Sequence, residues 1–409
     1  MKNKWPIVEI KDIAQVKRGA SPRPISDSKY FASEGRGWVR IADVTRTYKY
    51  LNNTTQYLSE LGEQASVKVE PNDLIMSICA TVGKPVLVGI PACIHDGFVV
   101  FRDLNESKLT KEYFFYQLLL LEDKWKIKGQ TGSQMNLNTT LVKHTKIVLP
   151  TLTTQEKIGD ILSSIDEAIQ KTDQIILKSE ELKNGLMNEL LTKGIGYKKF
   201  KKTKLGEIPE NWEVSALGEN AIHVGSGSTP RGGSKVYLKS GIPLIRSQNV
   251  HFERLDLSDV VYISPETHEV MSRSKLLKND ILLNITGASL GRVNIVPEYF
   301  EQGNVNQHVC IIRVKKAIYP LYLKYYLEST LGQKQIFKYQ IGGNREGLNF
   351  KQVRALTMVL PPIKEQKAIV EVIESVNTKI IQERLEENKC ILLKKGLMQD
   401  IFNQKVKIN

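Results

Sequence analysis

The basic side chains that could do chemistry come in two matching sets. Arg18, Arg23, Arg40 and Lys84 lie in the first half of this 409-residue chain, and Arg231, Arg246 and Arg292 stand at corresponding places in the second. Guanidinium and ammonium groups recurring in this way suit phosphate oxygens, or the paired acceptors on the major-groove edge of guanine. Hydroxyl, amide and carboxylate groups lie near them: Ser21 and Thr229 ahead of an arginine, Gln248, Asp43 opposite Asn249, and Ile94-His95-Asp96 opposite Val305-Asn306-Gln307. An acid in one half facing an amide in the other would give the halves different base preferences. The loops GSQMNLN (Gly132 to Asn138) and GGNREGLN (Gly342 to Asn349) add Gln134, Asn136, Arg345 and Asn349, which can also read base edges. Any one of these residues is as readily structural; their repetition sets them apart. The chemistry they support is recognition.

Signatures of bond making and breaking are missing from the sequence. It contains no Walker phosphate loop, no zinc-spaced Cys and His cluster and no nucleophile elbow. The Gly-rich stretch GSGSTPRGG (Gly225 to Gly233) fails the dinucleotide pattern because Pro230 stands where the third glycine belongs. It reads as a turn offering backbone amides and an arginine to phosphate, or as a plain loop between strands. The six histidines show no metal-ligand spacing, and Pro361-Pro362 lacks the polar and aromatic neighbours that would hold a target adenine. The sequence predicts no catalytic residue, no metal ligand and no cofactor site.

Composition agrees with a polyanionic partner without deciding it. Lys and Arg number 58 against 44 Asp and Glu, a net charge of +14. The run KKFKKTK (Lys198 to Lys204) reads as a solvated linker able to brush a phosphate backbone. Cys79, Cys93, Cys310 and Cys390 are too scattered for a disulfide framework. Pro6 interrupts the start before an apolar stretch develops, so the expectation is a cytoplasmic chain without export signal or membrane anchor.

The elements that must position these groups are themselves duplicated, at an offset of roughly 207 to 211 residues. Trp5 answers Trp212, VKRGASPR (Val16 to Arg23) answers VGSGSTPR (Val224 to Arg231), VRIADV answers IRSQNV, NDLI answers NDIL, and LPTLTTQEKI (Leu149 to Ile158) answers LPPIKEQKAI (Leu360 to Ile369). Each copy ends in a helical phrase, LKNGLMNEL or LKKGLMQDI. Runs such as DLIMSI and HVCIIRV between Gly, Pro and Asn turns predict strands, and helices are expected near Lys111 to Lys126 and Pro320 to Tyr339. The fold class is therefore α+β: two mixed α/β recognition domains in tandem repeat, separated by two long helices that form an antiparallel coiled coil. The expected boundaries are 1–150 for the first domain and 151–196 for the first helix, then 197–361 for a linker and the second domain and 362–409 for the second helix. Ile158, Ile165, Ile175, Leu182 and Leu186 make an apolar stripe on the first helix, about 39 residues and roughly 58 Å long at 1.5 Å per residue. Ile369, Ile373 and Ile380 continue the theme on the second, whose middle, QERLEENK, is polar. Pairing within the chain is favoured over an intermolecular coil.

In this order, VGSGSTPRGG, LPPIKEQ, LKKGLMQDI and their first-half copies resemble the specificity subunits of type I restriction-modification enzymes across the whole chain. The resemblance implies that each domain reads half of a bipartite double-stranded DNA site. It also implies two modification (methyltransferase) subunits docked on the helices, for which Gln155, Ile158, Ile165, Gln366, Ile369 and Ile373 are the expected contacts, and restriction subunits beyond them. S-adenosylmethionine, ATP and magnesium would belong to those partners. The first-half phrase TLTTQEKI lacks a Pro and the Glu ahead of its Gln, so the two helix starts need not meet partners alike. The rival reading is a coiled-coil assembly scaffold that reads no bases.

Overall fold

The computed structural model of the chain describes residues 5–129, 137–230, 232–339, 347–406 and 408. The chain forms two compact units. One joins Met1–Asp173 to Leu385–Asn409; the other is Gln174–Arg384. The helices expected at 151–196 and 362–409 run Leu152–Lys193 and Ile363–Phe402, and each contributes to both units.

In the first unit, a five-stranded sheet orders Gln15–Arg18, Phe98–Arg102, Leu74–Ser77, Pro85–Val88 and Tyr50–Leu51. Its central strands are continuous apolar runs because both faces are covered. Leu74, Met76, Leu87, Val99 and Phe101 join a core with Tyr113, Phe114 and Trp125 of the helix Lys111–Gly129, while Ile75, Val86, Val88, Phe98 and Val100 join Val39, Val69 and Ile94 of a second sheet. Strict alternation thus sends successive side chains to two different cores. The second unit repeats the scheme: Ile281, Leu283, Cys310 and Ile312 face Tyr322, Leu323 and Tyr326, whereas Leu282, Val309 and Ile311 face Ile245 and Val305.

The repeated Asn-Asp phrase is structural. Asn72 and Asn279 adopt φ of 71° and 68°, the left-handed turn that asparagine tolerates. Asp73 then holds Arg102 at 2.7 Å and Asp280 holds Arg313 at 2.7 Å, tying the turn to the neighbouring strand. The helix expected through Tyr339 is broken at Ser329, which caps a second helix, Thr330–Lys338.

Within each unit the long helices run antiparallel, and each is completed by the far end of the other. In the first unit, Ile158 and Leu162 share a core with Met398, Ile401 and Phe402. Buried Asp166 accepts from Lys394 Nζ at 2.5 Å, Tyr48 Oη at 2.6 Å and Tyr116 Oη at 2.7 Å. In the second unit Ile369, Val370 and Ile373 share a core with Met187 and Leu191, and Lys183, the repeat equivalent of Lys394, meets Glu328 at 3.1 Å. Glu328 also holds buried Lys324 at 2.5 Å. Among the described residues no helix is long and apolar enough to cross a membrane.

Candidate nucleic-acid interface

The Gly-hydroxyl-Pro-Arg phrase follows the first strand of each main sheet, and its glycine makes a close backbone approach. A Cβ on Gly19 would lie 2.1 Å from His95 O, and one on Gly227 would lie 1.6 Å from Val305 O. The backbone is fastened there too: Gly19 N–H donates to Phe98 O at 2.9 Å, Ala20 N–H to Ile94 O at 3.1 Å, and Gly227 N–H to Asn306 O at 3.1 Å. Each loop is thereby clamped to the segment entering the neighbouring strand. Gly19→Ala and Gly227→Ala should each destabilise their unit by about 1–3 kcal/mol, the usual cost of forcing atoms into a packed site. Thermal unfolding measures this, and an unchanged midpoint would contradict the clamp.

The clamp carries side chains of different character in the two units. In the first, Ser21 Oγ donates to Asp96 Oδ1 at 2.5 Å, Arg18 Nε donates to Asp96 O at 2.8 Å, and Arg23 reaches within 3.5 Å of Asp96 Oδ2. The Ser21 hydrogen bond, with help from a backbone hydrogen bond and the nearby Arg23 charge, holds the Asp96 carboxyl below its usual range. Its side chain is 42% exposed and that of Arg23 77%, so both are open to a ligand. Burial and the charge of Arg40 push His95 beside it down to about 4, and its Nδ1 accepts the Gly97 N–H at 2.9 Å. In the second unit, Thr229 Oγ1 donates to Gln307 Oε1 at 2.6 Å. Gln307 Nε2 lies 3.0 Å from His308 Nε2, whose ring meets Thr286 Oγ1 at 2.6 Å. Arg231, like Gln134, Asn136 and Arg345, lies outside the described residues.

Other expected base readers have structural employment. Arg40 precedes the short helix Ile41–Arg46, and its N–H donates to Asp43 Oδ2 at 2.9 Å while Thr55 Oγ1 donates to Asp43 Oδ1 at 3.0 Å. Asn249 repeats the arrangement, accepting the Arg246 N–H at 2.9 Å and donating to the carbonyls of Asp256 and Asp259. Both side chains are buried with their polar atoms engaged, so the expectation that Asp43 and Asn249 read bases is corrected: they cap turns. Asn349 caps the helix Phe350–Ala355, accepting from Gln352 N–H at 2.9 Å, as Asn138 caps Thr139–Lys143. Arg246 donates to Asp259 O at 3.2 Å, and exposed Gln248 donates to Asp259 Oδ2 at 2.8 Å. Lys84, which donates to Thr45 O at 2.9 Å, and its equivalent Arg292 line clefts walled on one side by the long helices.

The expected partner contacts also need correction. Gln155 and Gln366 are completely buried, and each fastens a helix start to its own domain. Gln155 accepts from Thr110 N–H at 2.9 Å and donates to Lys108 and Pro150 carbonyls; Gln366 accepts from Tyr319 N–H at 2.7 Å and donates to Ala317 and Pro361 carbonyls. Ile158, Ile369 and Ile373 are core residues, and Ile165 is half-buried. The chain's own domains cover Ile158, Ile369 and Ile373, whereas Ile175 and Leu182, expected on the same stripe, are 40% and 55% exposed. The Glu missing from the first half also finds its reason: Glu365 accepts from Trp212 Nε1 at 3.0 Å and Tyr197 Oη at 2.7 Å, securing the linker of the second unit.

Asp96 was visible in the sequence only as one member of a differing triplet. The signal that singles it out is its pairing with Ser21, repeated as Thr229 with Gln307, which becomes apparent once the two segments are brought together. Among the described residues no group of three His, Cys, Asp or Glu side chains is placed to hold a metal ion.

The pattern of a family described as the type I restriction modification DNA specificity domain matches residues 2–181 and again 209–389. The type I restriction enzyme MjaVIII specificity subunit of Methanocaldococcus jannaschii is 25% identical over 99% of this chain and 93% of its own length. The EcoBI specificity subunit of Escherichia coli is 27% identical over 84% of this chain and 73% of its own. The crystal structure of the type I restriction-modification system S subunit from M. genitalium has the same fold, with a TM-score of 0.59 at 16% identity over 100% of this chain and 98% of that one.

Proposed function

The chain belongs to the family of type I restriction-modification DNA specificity subunits, and from that premise we propose that its two units each read one half of a bipartite double-stranded DNA site. Recognition of DNA sequence is the family's role, and the chain is its non-catalytic component. The observation that carries the bipartite reading is the duplicated clamp: one backbone framework holding a serine-bound aspartate in one unit and a threonine-bound glutamine in the other. Similar loops with unequal polar ends read two different short sequences. Selection from a random duplex pool by the chain assembled with its modification subunits should return two short motifs at a fixed spacing. A pool left unenriched would favour the scaffold reading instead.

Two modification subunits dock on the long helices in this proposal, and restriction subunits join through them. S-adenosylmethionine, ATP and magnesium serve those partners. With the inner stripe occupied, the surface open to a partner is the outer one, where apolar residues recur at equivalent positions: Ile161 with Val372, and Leu182 with Leu393, the latter pair 55% and 62% exposed. Matching patches on the two helices suit two copies of one subunit. Leu182→Asp with Leu393→Asp should leave the chain folded and abolish co-purification with modification subunits. Retention of both subunits would place docking elsewhere.

A further inference from the structure

We propose that Asp96 and Gln307 are the residues at which the base preferences of the two units diverge, Asp96 selecting a cytosine and Gln307 an adenine. This rests on the reading that each unit recognises one half-site. The two positions are equivalent in the repeat and in the fold. Each follows a short strand, Ala92–Ile94 or Asn304–Val305, that pairs in parallel with an inner strand, Ile94 opposite Val39 and Val305 opposite Ile245. Each receives a hydroxyl hydrogen bond from the clamped loop, from Ser21 at 2.5 Å and Thr229 at 2.6 Å. The close glycine approach, the parallel pairing and the hydroxyl bond are shared, while the clamp's backbone hydrogen bonds and the chemistry of the side-chain end differ.

The hydroxyl bond fixes each end and leaves part of it free. Ser21 occupies Asp96 Oδ1, and the carboxylate, held ionised, has only acceptor capacity to offer. An acceptor pairs with the exocyclic amine of cytosine and is repelled by the O6 and N7 acceptors of guanine and the O4 of thymine. Adenine places its N7 acceptor beside its amine, which disfavours a lone carboxylate. Arg18 and Arg23 flank the site and offset the repulsion between this carboxylate and DNA phosphates. Gln307 offers more. Thr229 uses one lone pair of Oε1 and His308 Nε2 lies 3.0 Å from Nε2, which leaves a second acceptor beside the second N–H of the amide. That donor and acceptor match N7 and the amine of adenine.

The test uses the full chain assembled with its modification subunits, a randomised duplex pool and sequencing of methylated products. Asp96→Asn preserves size and an acceptor for Ser21, but adds a donor. It should lower preference for cytosine by about tenfold or more at one position of one half-site, with the other half-site unchanged. Gln307→Glu should do the same to an adenine in the other half-site. Ser21→Ala, which removes the support and keeps the carboxylate, should weaken selection without changing the preferred base. An unchanged motif, uniform weakening at every position, a shift at a position whose parental base is neither cytosine nor adenine as assigned, or the same shift from Ser21→Ala overturns the proposal. A parental complex that selects no sequence would instead sink the half-site reading beneath it.

Discussion

Asp166→Ala should destabilise the first unit by about 3–5 kcal/mol, the range found when one member of a buried ion pair is removed. The carboxylate accepts from Lys394, Tyr48 and Tyr116, and Lys394 is nearly as buried as Asp166 itself. Alanine would strand a buried ammonium and take an acceptor from two tyrosine hydroxyls. Burial already lowers the pKa of Lys394, with Asp166 opposing the shift, so loss of Asp166 would drive Lys394 towards its neutral form and soften the penalty at high pH. Asp166→Leu combined with Lys394→Met should recover most of the loss, because an apolar pair of similar volume carries no desolvation cost. Denaturant titration reads both variants. Glu328→Ala should be at least as harmful to the second unit, since Glu328 answers both Lys183 and Lys324. A loss below 1 kcal/mol for Asp166→Ala would show that water reaches the pair.

A fragment of residues 1–196 should form a dimer through its helix. In the whole chain the start of the first helix is covered by Lys394, Met398, Ile401 and Phe402, all absent from the fragment. The fragment carries their repeat equivalents, Lys183, Met187, Leu190 and Leu191, which in the whole chain complete the second unit. A second copy can therefore supply the missing lysine to Asp166 and the missing apolar side chains to Ile158 and Leu162. Sedimentation should give twice the fragment mass, and with modification subunits the dimer should direct methylation to an inverted repeat of the first half-site. A soluble monomer at micromolar concentration would contradict the exchange.

Much of this architecture could be read from residue order. The repeat placed both long helices within a few residues of their observed starts, because Pro150 and Pro362 mark them and Gly194 ends the first. The strands were legible as apolar runs, although only the structure shows why DLIMSI does not alternate: its two faces serve two cores. The stripe of Ile158, Ile369 and Ile373 was seen, but periodicity says that a face is covered and not by what; the chain's own domains cover it. Gln155 and Gln366 misled for a related reason, since an amide repeated at a helix start looks like a contact surface and is here an internal fastener. Asp43 and Asn249 stand three residues after an arginine, the spacing at which a side chain accepts the N–H that opens a turn, which was the available clue to their role. The Asp96 and Gln307 pairings join segments more than seventy residues apart, a distance no local pattern spans.

The first unit is discontinuous in the chain, and this bears on the order of biosynthesis. Domains ordinarily fold in the order in which they leave the ribosome, amino-terminal first. Here the earliest residues must wait for the last: Asp166, Leu162 and Tyr116 gain Lys394, Met398 and Phe402 only when Leu385–Asn409 has been translated. The second unit, contained in Gln174–Arg384, has its whole sequence available sooner. Vectorial synthesis therefore lets the later-encoded unit mature ahead of the earlier one, and a ribosome stalled before residue 385 would release a chain with one finished unit and one still open.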